Sequence, residues 1–290
     1  MTYTGLNHYL NSLPTQSGSH LFAGKDGRIS ARFFNARLSS VFQPIRSSVD
    51  CRLLGYVAFV RTLSLNDQGL SIWKLLEHAT TDDESVELDR LCRLLHAINF
   101  FRQTVMEESD LYLSVHNRLL TAVAGNHGAA FQRVLSKLDI PQKNIVLQLP
   151  AIVPSQRWAI THVAENYRRN GFRLAAHAQN IEQAFDLLER VRPDVIKLHL
   201  DSSLVDKDVW LFEDLLRQAA QQACLIIVRK VDQLQAFHKL RELADDRLLF
   251  AVQGNAIDIA RSTLIAAVVK SSPKFQVKSG IGDKSRQGCC

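Results

Sequence analysis

The chain of 290 residues has 46% apolar and 22% charged side chains, too apolar for a disordered polypeptide and enough for one large core or two modest ones. Of the formal net charge of +6, half sits on the last twenty residues, where Lys274, Lys278, Lys284 and Arg286 meet only Asp283; the rest shows no basic stripe with interleaved aromatics, so nucleic acid is not an expected partner. The longest apolar runs, such as Leu264 to Val269 and Cys224 to Val228, are too short to span a bilayer, and the first residues lack the basic-then-apolar order of a secretory signal, so a cytoplasmic protein with no membrane span is expected.

Residues 1–36 are rich in Ser, Gly, Asn and Thr, which predicts an irregular N-terminal extension with one short helix. Eight β-like segments follow, at 41–45, 54–60, 111–115, 145–149, 172–176, 194–200, 224–229 and 248–252. Helical patterns lie between most of them. Leu88, Leu91, Leu95 and Ile98 share one face at helical spacing. The run Asp82-Asp83-Glu84 favours the start of that helix, where anions are stabilised. Ser155 is placed to cap a helix over 156–169 and Gly171 to end it. Amphipathic patterns recur over 208–223 and 232–244, and Trp73, Trp158 and Trp210 fall on helical patterns as packing residues.

Strands alternating with helices imply a mostly parallel sheet, and eight such strands in this length fit an α/β chain closed as a (β/α)8 barrel over residues 37–270. The first two strands are too close for a crossover helix, so they must form a hairpin with the first strand antiparallel. Residues 271–290 read as a flexible basic tail. The five cysteines are irregularly spaced, with no CxxC; Cys92 and Cys224 sit in apolar patterns as buried small hydrophobes, Cys51 has no assigned role, and Cys289 and Cys290 read as two exposed thiols on the tail.

Local motifs then give a family resemblance. Phe42-Gln43-Pro44-Ile45 matches FQPI, Gly55 to Arg61 aligns with GYEALLR, and Leu88-Asp89-Arg90 with LDR. Leu113 to His116 aligns with LSVN, Leu147-Gln148-Leu149 with LEL, and Arg173 to Ala178 with RLALDD. Asp194 to Leu198 aligns with DVIKI, Val228 to Asp232 with AEGVE, and Val252-Gln253-Gly254 with VQG. In this order the motifs resemble the EAL family of cyclic-di-GMP phosphodiesterases, whose fold is a modified TIM barrel with an inverted first strand.

Active EAL domains are similar to two-metal phosphodiesterases, in which carboxylates and an Asn at the strand ends hold Mg²⁺ or Mn²⁺ to activate water. On that alignment the metal-ligand positions are occupied by Val57, His116, Gln148, His177, Ala178 and Arg229, with Lys230 where a Gly is expected. The glycine-rich loop is replaced by Gln179-Asn180-Ile181-Glu182, and only Lys197 and Gln253 remain of the catalytic set, as vestiges. The resemblance therefore implies a degenerate, non-catalytic member with no cofactor.

Degenerate relatives act as regulators of motility, biofilm or virulence by binding other proteins, so a protein partner is the first expectation. The alternative is a metal-independent cyclic-di-GMP receptor that uses Gln43, Arg61, Asp89, Lys197, Arg229, Lys230 and Gln253. In a remote third arrangement, His116, His177 and His199 at the strand ends bind zinc; solvated or hydrogen-bonded histidines are favoured over it, because Lys197 and Arg229 repel a cation. EAL barrels pair as dimers, so self-association is also expected.

Overall fold

The short link between the first two barrel strands decides the topology. In the computed structural model, which describes residues 3–13, 20–34, 36–62, 81–103, 109–116, 127–150, 157–200, 209–243 and 249–265, β3 (Ala36–Ser47) turns directly into β4 (Leu53–Thr62). The two pair antiparallel, with Gln43 opposite Val57. The chain then adds β5 (Asp110–Ser114), β6 (Ile145–Gln148), β7 (Arg173–Ala178), β8 (Val195–His199), β9 (Leu225–Arg229) and β10 (Ala251–Gln253). These strands pair in parallel from β4 through β10. Finally β10 closes the ring on β3, antiparallel again. The eight-stranded barrel with an inverted first strand is thus as the hairpin spacing requires.

Side chains alternate in and out along each strand. Each barrel strand sends one residue into a closed inner layer: Ile45, Val57, Tyr112, Val146, Ala175, Val195, Ile227 and Ala251, all buried. The opposite faces pack under the helices in a separate, larger core. The inner layer fills the barrel and forms the floor of whatever lies above it, at the strand C-termini.

The residues before position 37 are more ordered than the sequence predicts. Helix α1 (Thr4–Ser12) is the expected short helix, but β1 (Leu21–Ala23) and β2 (Ile29–Phe33) then extend the sheet beyond β3. Buried Asn99 completes the hydrogen bonding at the start of β2: its side chain accepts from Ile29 N–H at 2.9 Å and donates to Ile29 C=O at 2.7 Å. It thereby stands in for a neighbouring strand and satisfies a buried backbone pair.

Asn99 belongs to α2 (Asp82–Phe101), the predicted helix with Leu88, Leu91, Leu95 and Ile98 on one face. Its N-terminus is a capping box: Thr81 Oγ1 accepts from Glu84 N–H while Glu84 accepts from Thr81 N–H. Glu84 thus caps as the charge run suggested, with Thr81 as its partner. The other described helices are α3 (His127–Lys137), α4 (Arg157–Arg169), α5 (Ile181–Arg190), α6 (Val209–Gln221) and α7 (Leu234–Leu243).

Gly171 ends α4 at φ +77°, with Phe172 N–H bonded back to Tyr167 C=O and Gly171 N–H to Arg168 C=O, the paired bonds of a Schellman cap. Ser155, Trp73, the side chain of Trp158, and the tail with Cys289 and Cys290 lie outside the described residues. Trp210 was expected to pack, but its side chain is 68% exposed at the start of α6, because that helix buries Phe212, Leu215, Leu216 and Ala219 instead. Cys224 is buried as expected, whereas Cys92 is only half-buried. The last strand lies three residues later than predicted at its start, at Ala251 rather than 248.

Candidate functional site

Two residues beyond each floor residue, the alternation brings a second layer inward at the strand C-termini. That layer is Gln43 on the inverted strand, then Phe59, Ser114, Gln148, His177, Lys197, Arg229 and Gln253. All eight line one open cavity of about 330 Å³ over the Val57 floor, together with Arg61, Lys230, Asp232, Gly254, Asn255 and Ala260. The barrel mouth is therefore built by register. Phe59 and Ser114 were not singled out in the sequence, yet the two-residue step from Val57 and Tyr112 marks them. Asp232, Asn255 and Ala260 come from loops and carry no such signal.

The layer is cross-linked by amides. Lys197 Nζ, only 2% exposed, donates to Gln148 Oε1 at 2.7 Å. Gln148 Nε2 reaches Ser114 Oγ at 3.3 Å. On the other side Gln253 Nε2 donates to Gln43 Oε1 at 2.7 Å, and Gln43 Nε2 donates to Asp258 C=O at 3.0 Å. Gly254 follows because a Cβ there would stand 2.1 Å from Val231 C=O; only glycine lets the two backbones approach this closely.

Charge at the mouth is predominantly positive. Among the described lining residues Arg61, Lys197, Arg229 and Lys230 carry basic groups, against the single carboxylate of Asp232. Asp232 is already engaged, its Oδ1 accepting from Asn255 N–H at 2.8 Å. Arg229 donates to Gln179 at 3.3 Å, while its buried Nε has no partner among the described residues. Burial, reinforced by Arg229, pushes the Lys197 ammonium down to about 7. His177, opposite Lys197 in the β7–β8 register, is held neutral at neutral pH: burial first, then Lys197 and Arg229, lower it to about 3.

Six of the seven predicted nucleotide-contact residues meet in this cavity: Gln43, Arg61, Lys197, Arg229, Lys230 and Gln253. Asp89 does not. Its side chain is 4% exposed and forms an ion pair with Arg93 one turn later at 2.7 Å, while Oδ1 accepts from His116 N–H at 2.9 Å. Arg93, 2% exposed, also packs its guanidinium over Phe131 at 5.0 Å. Asp89 therefore anchors α2 to the end of β5 and contributes no lining to the mouth.

Of the metal-ligand positions, Val57, Gln148, His177 and Arg229 line the cavity, whereas His116 and Ala178 do not. Ala178 packs into the core under the helices. The proposed zinc trio also separates. His116 and His199 are not among the lining residues, and His116, His177 and His199 form no metal-holding group among the described residues. The loop replacing the glycine-rich segment has become a helix cap, Asn180 Oδ1 accepting from Gln183 N–H at 2.9 Å to start α5.

The residues present do not fit a pair of hard divalent cations. Such ions require several oxygen donors, mainly carboxylates. Here the floor position is a valine, the Gln148 oxygen is taken by an amine, and Arg229 adds positive charge.

A family model described as EAL domain matches residues 27–258. No curated protein matches the sequence. Among solved structures, the EAL-domain protein YkuI of Bacillus subtilis, in complex with substrate c-di-GMP and calcium, superposes with a TM-score of 0.63 at 15% identity, over 79% of this chain and 57% of that one. This chain therefore spans little more than half of YkuI. The FimX EAL domain of Pseudomonas aeruginosa, bound to c-di-GMP, gives 0.60 at 15% identity over 90% of this chain and 97% of that one. A standalone EAL protein of Vibrio cholerae, also c-di-GMP bound, gives 0.59 at 16% identity over 81% and 97%. These likenesses establish the shared fold.

Proposed function

The chain belongs to the EAL domain family, and from that membership we propose that it is a regulatory member without phosphodiesterase activity, which works by binding another protein. One observation carries this: the mouth presents four basic side chains and one committed carboxylate where two-metal hydrolysis needs an oxygen-rich cage. No helix among the described residues is long and apolar enough to cross a membrane. A barrel keeps its packed floor while its strand-end loops diverge, so the scaffold is free to serve a new surface. A division into an N-terminal extension over 1–36, a barrel over 37–270 and a flexible basic tail over 271–290, a cytoplasmic location and self-association all belong to this proposal.

A second function is favoured by a specific feature. Arg61, Arg229 and Lys230 share one cavity with Gln43 and Gln253, and fixed cations there replace the charge that metals supply to a bound phosphodiester. That would make the chain a metal-independent cyclic-di-GMP receptor. Calorimetric titration separates the two. Under the protein-binding proposal, cyclic di-GMP with or without Mg²⁺ gives no saturable heat. Saturable micromolar binding that is lost in Arg61→Ala replaces that proposal with the receptor.

A further inference from the structure

Deep in the mouth, Lys197 is held by Gln148 and Gln43 by Gln253, so the groups left to meet a ligand are the remaining cations. Arg61 follows Val57 and Phe59 on β4, where residues two apart face the same way, and all three line the cavity. Its one described side-chain bond goes to the carbonyl of Val60 at 3.3 Å. Arg229 has a buried Nε–H with no partner among the described residues, and a donor buried without an acceptor is unfavourable. Lys230 adopts the left-handed backbone region, at φ +61°, which favours glycine. An exposed lysine on strained backbone at the edge of a cavity points to a use for its charge. Apolar side chains share this mouth: Phe59 is 36% exposed in the lining, and Ile259, 53% exposed, precedes the lining residue Ala260. Cations beside exposed apolar side chains, with arginine and an aromatic among them, are the composition of a protein-docking hot spot.

We infer that the barrel mouth is the docking site for an acidic segment of a protein partner. A Glu or Asp side chain of that segment enters the cavity and is held by Arg61, Arg229 and Lys230, while an apolar neighbour packs against Phe59. The inference rests on the protein-binding proposal and names the surface and the chemistry it uses. Charge complementarity carries it. The three cations have no ion-pair partner among the described residues, and the single lining carboxylate among them, Asp232, is bonded to Asn255 N–H. An incoming carboxylate supplies the acceptor that Arg229 lacks, and its two oxygens match the planar fork of a guanidinium. A cavity of about 330 Å³ is at the small end of ligand sites, so it takes an inserted side chain and leaves the rest of the segment on the rim. The concentrated positive charge also steers an acidic segment toward the mouth, an effect that salt screens.

The probe is a displayed library of random short peptides, selected on the full chain and remeasured as fluorescein-labelled peptides by anisotropy. Enriched peptides are expected to share a Glu or Asp beside an apolar residue. Replacing that acid by its amide, or Arg229 by Gln in the protein, should each weaken binding about tenfold, the loss of one charge-assisted contact. Making both changes together should cost little more than either alone, because the two groups touch. Lys230→Gly relaxes the strained backbone, so it should fold at least as stably as the wild type and still bind about tenfold more weakly; it serves even if Arg229→Gln does not fold. Enrichment without acidic residues, losses in peptide and protein that simply add, or no enriched peptide at all overturns the inference. Peptides that bind with no dependence on Arg61, Arg229 or Lys230 also overturn it, yet leave the protein-binding proposal standing with its surface elsewhere. That proposal falls separately, on saturable binding of cyclic di-GMP.

Discussion

Incubated with cyclic di-GMP and Mg²⁺ or Mn²⁺, the purified protein is expected to leave the nucleotide intact, at the rate of a protein-free blank. In-line attack on phosphorus requires an activated water and compensation of charge on the phosphoryl oxygens, and in two-metal sites the ions supply both. At the mouth, Val57 offers no donor, Gln148 spends its oxygen on Lys197, His177 faces Lys197 and Arg229, and Ala178 is turned into the core. A cation brought within about 4 Å of Arg229 is repelled by roughly 4 kcal/mol at an effective dielectric of 20. With each 1.4 kcal/mol worth about tenfold in an equilibrium constant, that repulsion alone amounts to roughly a thousandfold loss of metal affinity, before the missing ligands are considered. No single restoration repairs this. Gln148→Glu would add one carboxylate, which Lys197 at 2.7 Å is placed to pair with before any metal. Measurable turnover, followed by release of the linear dinucleotide, contradicts the proposal.

The largest effect on stability is expected from Arg93→Met. Removing the guanidinium leaves Asp89 buried, with the His116 N–H but, among the described residues, no other ion-pair partner. Breaking a buried pair from one side costs about 3–5 kcal/mol, because the remaining charge is not solvated. For a domain of this size that lowers the melting temperature by roughly 10 °C. Replacing both partners, as in Asp89→Leu with Arg93→Met, should recover much of the loss, since an apolar pair of similar volume needs no countercharge. Thermal unfolding of the two variants decides it: a double variant no more stable than Arg93→Met alone would mean that packing against Phe131, rather than the charge, carries the effect. This outcome also bears on function. A structural Asp89 predicts that its loss acts through folding and leaves the chemistry of the mouth unchanged in the folded fraction.

What the sequence made legible follows from which forces are local. The inverted first strand was fixed by chain length, because the few residues between β3 and β4 allow only a hairpin. The mouth was legible at Val57, Gln148, His177 and Arg229 through the aligned motifs, which place them on β4, β6, β7 and β9. Phe59 and Ser114 were within reach of the same rule. Asp89 was misplaced although its signal was present: Arg93 four residues later on a helical pattern is the spacing of an intrahelical ion pair. The strands before residue 37 were not legible. They are three and five residues long, and β2 depends on Asn99, about seventy residues away in the chain, to complete its hydrogen bonds. The separation of the three histidines likewise depends on which way β5, β7 and β8 aim them above the floor, and this emerges only once the barrel is closed.

Every functional conclusion rests on the mouth having exchanged oxygen donors for basic groups, so metal binding at equilibrium tests it most directly. Titration of the metal-free protein with Mn²⁺, followed by the paramagnetic signal of the free ion, should show only weak, non-saturating association that is unaffected by Gln148→Ala. A saturable pair of Mn²⁺ ions bound at micromolar concentrations, and released by that substitution, would contradict it.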